Sequence, residues 1–361
     1  VTEDERFMRR ALVLAARGEG ETNPNPMVGC VVVKAGRIVG EGFHRRAGGP
    51  HAEIVALERA GARARGASLY VNLEPCAHHG RTAPCAEAVI AAGVRRVVAA
   101  LGDPNPKVSG RGFARLRRAG IVVEHGALEA EARTLNVRFL TAARLARPFV
   151  LLKVAMTLDG RIATATGDSA WVTSPAQRRE ARGLRRLHDG VVVGIGTALA
   201  DDPLLLPSPR TGRPFTRVVL DTRLRLSATS RLVATVGRGP VVVVTSSRNR
   251  SRRLALEALG VRVEIVPARR GRVSLASALR RLRALGLWSV MVEGGGEVLG
   301  AFLEERRFDQ LAVFRAPLLL GGRGSRPAFG GRNPARMAEA LRLSAAAPPR
   351  GASYELWYPQ A

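Results

Sequence analysis

Four residues of this 361-residue chain have types and spacing that could do chemistry: His51, Glu53, Cys76 and Cys85. One imidazole and two thiolates supply three ligands for a zinc ion. They leave a fourth tetrahedral position open, which is what separates a catalytic zinc from a closed structural one. Water at such a position becomes a nucleophile near neutral pH, and a carboxylate two residues after the histidine is placed to move its protons. Hydrolysis by an activated water is therefore the expected chemistry. The bland alternative makes the cysteines core residues or a disulfide and His51 a surface cap. With three cysteines and no secretory signal, a disulfide framework is disfavoured. Cys30, within an apolar run at 28–33, reads as an ordinary buried thiol. His78 and His79 read as pocket-loop residues, because three protein ligands suffice.

The elements that must position these groups follow from periodicity. His51 opens the run Ala52, Ile54, Val55, Leu57, Ala60, and Cys85 opens Ala86, Ala88, Val89, Ile90. Both ligands are thus expected at helix N-termini, where the dipole favours thiolate. An H-x-E followed by Pro-Cys and a second Cys is the order found in zinc deaminases. Eight residues separate the cysteines here instead of two, so the match is to the chemistry and not to the short motif. Around the site we expect a helix at 5–17, a rigid loop at 22–26, a hairpin at 28–33 and 37–43, and strands at 68–73, 94–101 and 121–124. Helices are expected at 85–92, 112–119 and 127–144. Strands alternating with helices give a layered α/β domain.

Arg147-Pro148 marks a boundary, so two domains are expected, 1–146 and 147–361. The alternation restarts with strands at 149–155, 190–193, 216–221, 240–245, 261–266 and 288–292. Helices are expected at 174–187, 252–259, 275–285 and 297–304, a proline-rich loop at 203–214, and strand-rich closure from 308 on. Strand 288–292 runs into Glu293-Gly294-Gly295-Gly296, and strand 190–193 into Gly194-Ile195-Gly196-Thr197. Each reads as a glycine turn at a strand's C-terminal end, and the pair points to a nucleotide crevice. Lys153, in an apolar strand, is either an edge residue or an active-site cation, since a buried ammonium needs a partner. Thr245-Ser246-Ser247-Arg248 is a plausible seat for a ribose 2′-phosphate.

Composition bounds the remainder. No apolar run approaches the ~20 residues of a membrane span. The acidic start, Val1 to Glu5, lacks the order of a signal peptide, so a soluble, cytoplasmic enzyme is expected. A net charge of +27 would ordinarily suggest nucleic acid. The arginines are spread along the chain, however, and aromatics for base stacking reach only 4%. Lysine occurs three times (Lys34, Lys107, Lys153) among 57 basic residues, a drift from lysine to arginine throughout. A small anionic substrate uses such arginines equally well.

The motifs Asn23-Pro24-Asn25-Pro26-Met27-Val28-Gly29-Cys30, Pro50-His51-Ala52-Glu53, Leu73-Glu74-Pro75-Cys76, His78-His79-Gly80-Arg81-Thr82 and Asp103-Pro104-Asn105-Pro106 together resemble the bifunctional deaminase/reductase family of riboflavin biosynthesis. Lys153 to Arg161, Gly167 to Trp171, Gly194 to Thr197 and Glu293 to Gly296 continue the match. The resemblance implies a cytidine-deaminase-like three-layer domain followed by a dihydrofolate-reductase-like α/β domain. It implies a phosphorylated pyrimidine substrate, 2,5-diamino-6-ribosylamino-4(3H)-pyrimidinone 5′-phosphate, hydrolytic deamination with one zinc, and NADPH-dependent reduction of its ribosyl to a ribityl chain. Glu53 would shuttle the proton, and Asn25, His44, Arg81, Asp103 and Asn105 would hold the substrate. In the reductase it places NADPH on Ala155, Trp171, Thr197, Asp201 and the run Gly295, Gly296, Glu297, Val298, Leu299, Gly300, Ala301. Substrate would meet Ser169, Arg185, Leu205, Ser208 and Glu293, with Lys153 near the transferred hydride. A homo-oligomer is also implied. One departure stands out: the family usually reads D-D-P-x-L-x-x-R after the Gly-x-Gly-Thr turn, and here Ser208 replaces the arginine. Losing a charge-assisted contact to phosphate costs about 1.5–3 kcal/mol, unless Arg210 substitutes. A deaminase with a weak or inactive reductase is therefore a second reading, and a nucleic-acid deaminase, from the charge, a third.

Overall fold

The structure, a computed structural model, describes residues 2–77, 84–104, 109–209, 212–332 and 334–360. The chain divides into two compact units, Val1–Ala146 and Arg147–Ala361.

The first unit opens with α1 (Glu3–Ala16), which starts where Thr2 and Glu5 form a reciprocal capping box and buries Phe7, Met8, Ala11, Leu14 and Ala15. The hairpin β1 (Gly29–Lys34) and β2 (Arg37–Phe43) follows, then α2 (Ala52–Ala60) and β3 (Ser68–Val71). Next come α3 (Cys85–Ala91), β4 (Arg96–Ala99), α4 (Arg111–Arg118), β5 (Val122–His125), α5 (Glu129–Leu135) and α6 (Val137–Leu145). The sheet order is β2-β1-β3-β4-β5, antiparallel across β1 and parallel from β3 to β5. Alternate residues of each strand face opposite sides. Val32, Leu69, Val71 and Val97 pack against α2, α3 and α4, while Val31, Val33, Tyr70 and Val98 pack against α1 and α5. Two apolar faces covered by helices make three layers.

The second unit contains β6 (Phe149–Thr157), β7 (Arg161–Ala163), α7 (Pro175–Leu184), β8 (Gly190–Gly194), α8 (Ile195–Asp201) and β9 (Thr216–Leu220). It continues with α9 (Arg231–Ala234), β10 (Val241–Thr245), α10 (Arg250–Ala258), β11 (Arg262–Ile265), β12 (Ala268–Arg269), β13 (Arg272–Val273), α11 (Leu275–Ala284) and β14 (Ser289–Val292). The last elements are α12 (Gly296–Glu304), β15 (Gln310–Ala316), β16 (Arg326–Pro327), β17 (Leu343–Ala346) and β18 (Glu355–Pro359). Its main sheet runs β11-β10-β9-β8-β14-β6-β15-β18-β17, parallel up to β15 and closed by antiparallel β18 and β17. Val-rich strands buried on both faces suit a parallel sheet. One face carries α11 and α12, the other α8, α9 and α10. Among the described residues no helix is long and apolar enough to cross a membrane.

Three expectations change. The helix expected at 127–144 is two, broken at Asn136, whose side chain accepts from Met27 N (2.8 Å) and donates to Met27 O (2.9 Å) instead of facing solvent. The expected turn Gly194-Ile195-Gly196-Thr197 is the first turn of α8, with Gly194 as its N-cap. Helix 174–187 ends at Leu184 and tightens into a 3₁₀ turn, Arg185–Leu187.

Candidate active sites

In the first unit, His51 is the N-cap of α2, yet its side chain caps nothing. Its Nδ1 instead faces two sulfurs, 3.1 Å from Cys85 Sγ and 3.7 Å from Cys76 Sγ. All three ligand atoms lie within 4.8 Å of one another. Bond lengths of ~2.0 and ~2.3 Å in a tetrahedron put N and S about 3.5 Å apart, a value that falls between the two N–S separations here. Two sulfurs and one imidazole are also the donor set this metal prefers. Cys85 is the first residue of α3, and its backbone N–H donates to Cys76 Sγ (3.4 Å). Hydrogen bonds from the Cys85 thiol, and then from His51 and that N–H, lower the pKa of the Cys76 thiol, while Cys76 and burial raise that of Cys85. Glu53, in the first turn of α2, is 3% exposed. Burial raises its carboxyl above the usual range, with Cys76 adding to the shift and His51 opposing it. An acid poised this way can take and return a proton.

Asn25 and His44 meet beside this cluster. Asn25 Nδ2 lies 3.0 Å from His44 Nε2, and His44 Nδ1 lies 2.9 Å from Pro50 O. Because a carbonyl only accepts, Nδ1 carries the proton and Nε2 accepts from Asn25. Burial pushes the His44 pKa down, consistent with a neutral ring. The ring stands edge-on to His51 at 5.5 Å. Asp103 sits half-buried with its N–H on Glu74 Oε2 (3.1 Å). Arg81 and Asn105 lie outside the described residues, as do His78, His79 and Arg210.

In the second unit, parallel register assembles the site. Val292 pairs with Leu152, so the next residues along, Glu293 and Lys153, fall side by side. Arg185 grips Glu293 with two bonds, Nε to Oε1 at 2.6 Å and Nη2 to Oε2 at 3.0 Å. Burial opposes ionisation of Glu293, but Arg185 and then Lys153 outweigh it and hold its pKa below the usual value. Burial lowers the Lys153 pKa against the pull of Glu293, with Arg185 lowering it further. The ammonium also stands 5.5 Å from the Phe314 ring centre. Ala155, two residues on, shares the Lys153 face of β6. Arg185 Nη1 donates to Leu206 O (2.9 Å), and the fully buried Arg217 donates to Leu204 O (3.2 Å), so two guanidiniums fix the segment 204–206 by its carbonyls. Leu205 itself is buried in the core, with φ +54°. Any substrate contact there falls to its backbone. Ser208 is exposed, and so are Ser169 and Trp171, the latter stacked under Arg178 at 4.4 Å.

The two glycine segments meet: Gly295 N donates to Thr197 Oγ1 (3.1 Å). Beyond them opens a groove of about 970 Å³ lined by Gly194 to Gly196, Thr222, Glu297, Val298 and Ala301, together with Arg225, Arg269, Arg270 and Arg272. The run 295–301 divides. Leu299 points into the core, and a Cβ on Gly300 would come within 2.0 Å of Gly330 O, so these two pack the helix and do not face the groove. Asp201 is exposed at the end of α8. Thr245 and Ser246 donate their hydroxyls to Thr222 O (3.3 and 3.1 Å), which makes them supports of the groove wall. Sequence reasoning missed the groove arginines, although the run Ala268-Arg269-Arg270-Gly271-Arg272 carried the signal. It also missed Asn72 and Asn136, which clamp Met27 and hence the Asn25 loop.

A cytidine-deaminase-like zinc domain joined to an α/β reductase domain is the class this fold and these sites define, and the comparisons agree. Residues 1–101 match the cytidine and deoxycytidylate deaminase zinc-binding region, and residues 148–346 match the RibD C-terminal domain. The chain is 45% identical to the riboflavin biosynthesis protein RibD of Aquifex aeolicus, over 88% of each chain. It is 44% identical to that of Escherichia coli, over 88% of this chain and 89% of the other. Among solved structures, Acinetobacter baumannii RibD aligns with a TM-score of 0.89 at 39% identity, over 99% of each chain. The Thermotoga maritima diaminohydroxyphosphoribosylaminopyrimidine deaminase/5-amino-6-(5-phosphoribosylamino)uracil reductase aligns with 0.85 at 37% identity, again over 99% of each. The chain belongs to the RibD family of riboflavin biosynthesis proteins, bifunctional enzymes with a zinc-dependent deaminase domain and a reductase domain.

Proposed function

We propose that residues 1–146 deaminate 2,5-diamino-6-ribosylamino-4(3H)-pyrimidinone 5′-phosphate, and that residues 147–361 reduce the ribosyl unit to ribityl with NADPH, giving 5-amino-6-ribitylamino-uracil 5′-phosphate. The observation that carries this reading is the His51, Cys76 and Cys85 donor set with the buried Glu53 on the same helix. The deaminase and reductase activities of the Thermotoga relative support the substrate assignment. His51, Cys76 and Cys85 would hold zinc, which supplies a Lewis acid and an acidified water. Glu53 would take one proton from the attacking water and pass it to the ring nitrogen, then take the second from the new hydroxyl and pass it to the leaving ammonia. Its burial keeps the carboxyl basic enough to do both. Asn25, His44, Arg81, Asp103 and Asn105 bind and orient the substrate.

In the second unit NADPH would supply hydride, held by Ala155, Trp171, Thr197, Asp201, Gly295, Gly296, Glu297, Val298 and Ala301, with Leu299 and Gly300 packing the helix behind them. The arginine-lined groove supports this placement by offering a phosphate-bearing cofactor several cations. Lys153 stands near the transferred hydride, and Arg185, which also holds Glu293 in place, meets the substrate together with Glu293, Ser169 and the 205–208 segment. The exposed Ser208, where the family has an arginine, favours a second reading in which the reductase is weak. We also assign a homo-oligomeric state, which the exposed run Leu318, Leu319 and Leu320 supports. A cytoplasmic location is supported by three cysteines present as free thiols. Incubation with the diaminopyrimidine phosphate tests the main reading. Ammonia should be released without NADPH, and NADPH should then be oxidised by the deaminated product. Ammonia release with no NADPH oxidation selects the weak-reductase reading, and no release at all overturns both.

A further inference from the structure

Glu74 is a buried carboxylate that no described cation pairs with, 4% exposed and two residues before the ligand Cys76. Four backbone N–H groups donate to it instead. Asp103 N (3.1 Å) and Gly110 N (3.0 Å) reach Oε2, while Gly112 N (2.8 Å) and Phe113 N (3.2 Å) reach Oε1. Three of these belong to the N-terminus of α4, whose own N-cap, Gly110, is left-handed at φ +75° and has no side chain to offer. Ser, Thr, Asp or Asn at that position would supply a side-chain acceptor locally, and glycine supplies none. Here the cap comes from 36 residues earlier, out of the chain segment that also delivers Cys76. The approach is close: a Cβ on Gly112 would stand 2.0 Å from Pro75 O.

We propose that Glu74 is a positioning residue of the deaminase, tying Asp103 on one oxygen and the start of α4 on both to the segment that carries Cys76, and so fixing the substrate-holding Asp103 relative to the catalytic centre. The inference rests on the substrate role proposed for Asp103. A carboxylate suits the task because both oxygens accept and neither donates. Glu74→Gln keeps the shape but turns an amide NH₂ toward two of the four donors, whichever way it is flipped.

Zinc content, deaminase kinetics and reductase rate of the full-length Glu74→Gln protein test the proposal. KM for the diaminopyrimidine phosphate should rise about tenfold while kcat stays within about threefold, with zinc content and reductase rate unchanged. An unchanged KM overturns the proposal. So does a loss of zinc in step with kcat, because Glu74 would then only support the ligand loop. Should Glu74→Gln yield no soluble protein, Glu74→Asp keeps the charge and withdraws both oxygens by one methylene. The same KM rise is expected, and a wild-type KM again overturns the proposal. Wild-type protein run alongside separates the two levels: a wild type that releases no ammonia defeats the proposed function, whereas an active wild type with an indifferent variant defeats only the role of Glu74.

Discussion

Glu53 and Lys153 are ionisable groups that burial shifts in opposite senses, the acid upward and the base downward. Both shifts favour the uncharged form. Replacing Glu53 with alanine should lower ammonia release by about 10²- to 10⁴-fold, the usual worth of general acid–base catalysis. Zinc should stay bound, since the three donors are untouched; metal analysis of the purified variant checks this, and loss of zinc would show that Glu53 serves the metal instead. Lys153→Ala should slow NADPH oxidation at least tenfold, by analogy with the roughly hundredfold cost of removing one electrostatic stabiliser, and leave deamination unchanged. An unaltered NADPH rate would remove Lys153 from the site. At this scale the first cluster was far more legible than the second. His51, Glu53, Cys76 and Cys85 lie within 35 residues, each at a local strand-to-helix transition that periodicity reveals. Lys153, Arg185 and Glu293 span more than a hundred residues. They meet only because β14 lies beside β6 in parallel register, and the residue pattern of neither strand encodes that pairing.

Elements carry the second kind of information. The break between α5 and α6 was invisible because Asn136 is tolerable inside a helix, and nothing nearby in sequence announces its partner, Met27. In the structure Asn136 is 2% exposed and, with Asn72, satisfies the backbone of Met27 ahead of β1. Replacing it with alanine leaves a buried N–H without its acceptor, at a cost of about 1–3 kcal/mol. A lowered thermal midpoint of the first unit should report this, together with a raised KM for the pyrimidine, because Asn25 follows the same loop. A change in stability with no change in KM would confine Asn136 to folding. The start of α8 at Ile195 teaches the same lesson. Glycines read as a turn from sequence are the entry to a helix when Gly194 must lie under the Val298 side chain, which a Cβ would approach to 2.5 Å.

Across the whole molecule, each unit owns its sheet and its apolar clusters, one pair of clusters per unit. Removing the metal should therefore act on one activity. Dialysis against a strong zinc chelator is expected to abolish deamination and lower the first unit's melting transition, while NADPH oxidation with the deaminated substrate continues. Zinc added back should restore ammonia release. Equal loss of both activities would show that the units do not function separately. NADPH, conversely, should raise only the second transition, in proportion to the logarithm of its concentration above Kd.

The near-replacement of lysine by arginine leaves residues 147–361 with a single primary amine, that of Lys153. Guanidinium groups stay protonated and inert toward acylating reagents, whereas an amine whose pKa burial has lowered gives up its proton more readily than a surface lysine does. A small amine-selective ester should thus label the reductase half at one position only. The extent of labelling should titrate its activity, and bound NADPH should shield it, so that an ordinary protein stain reagent becomes an active-site counter.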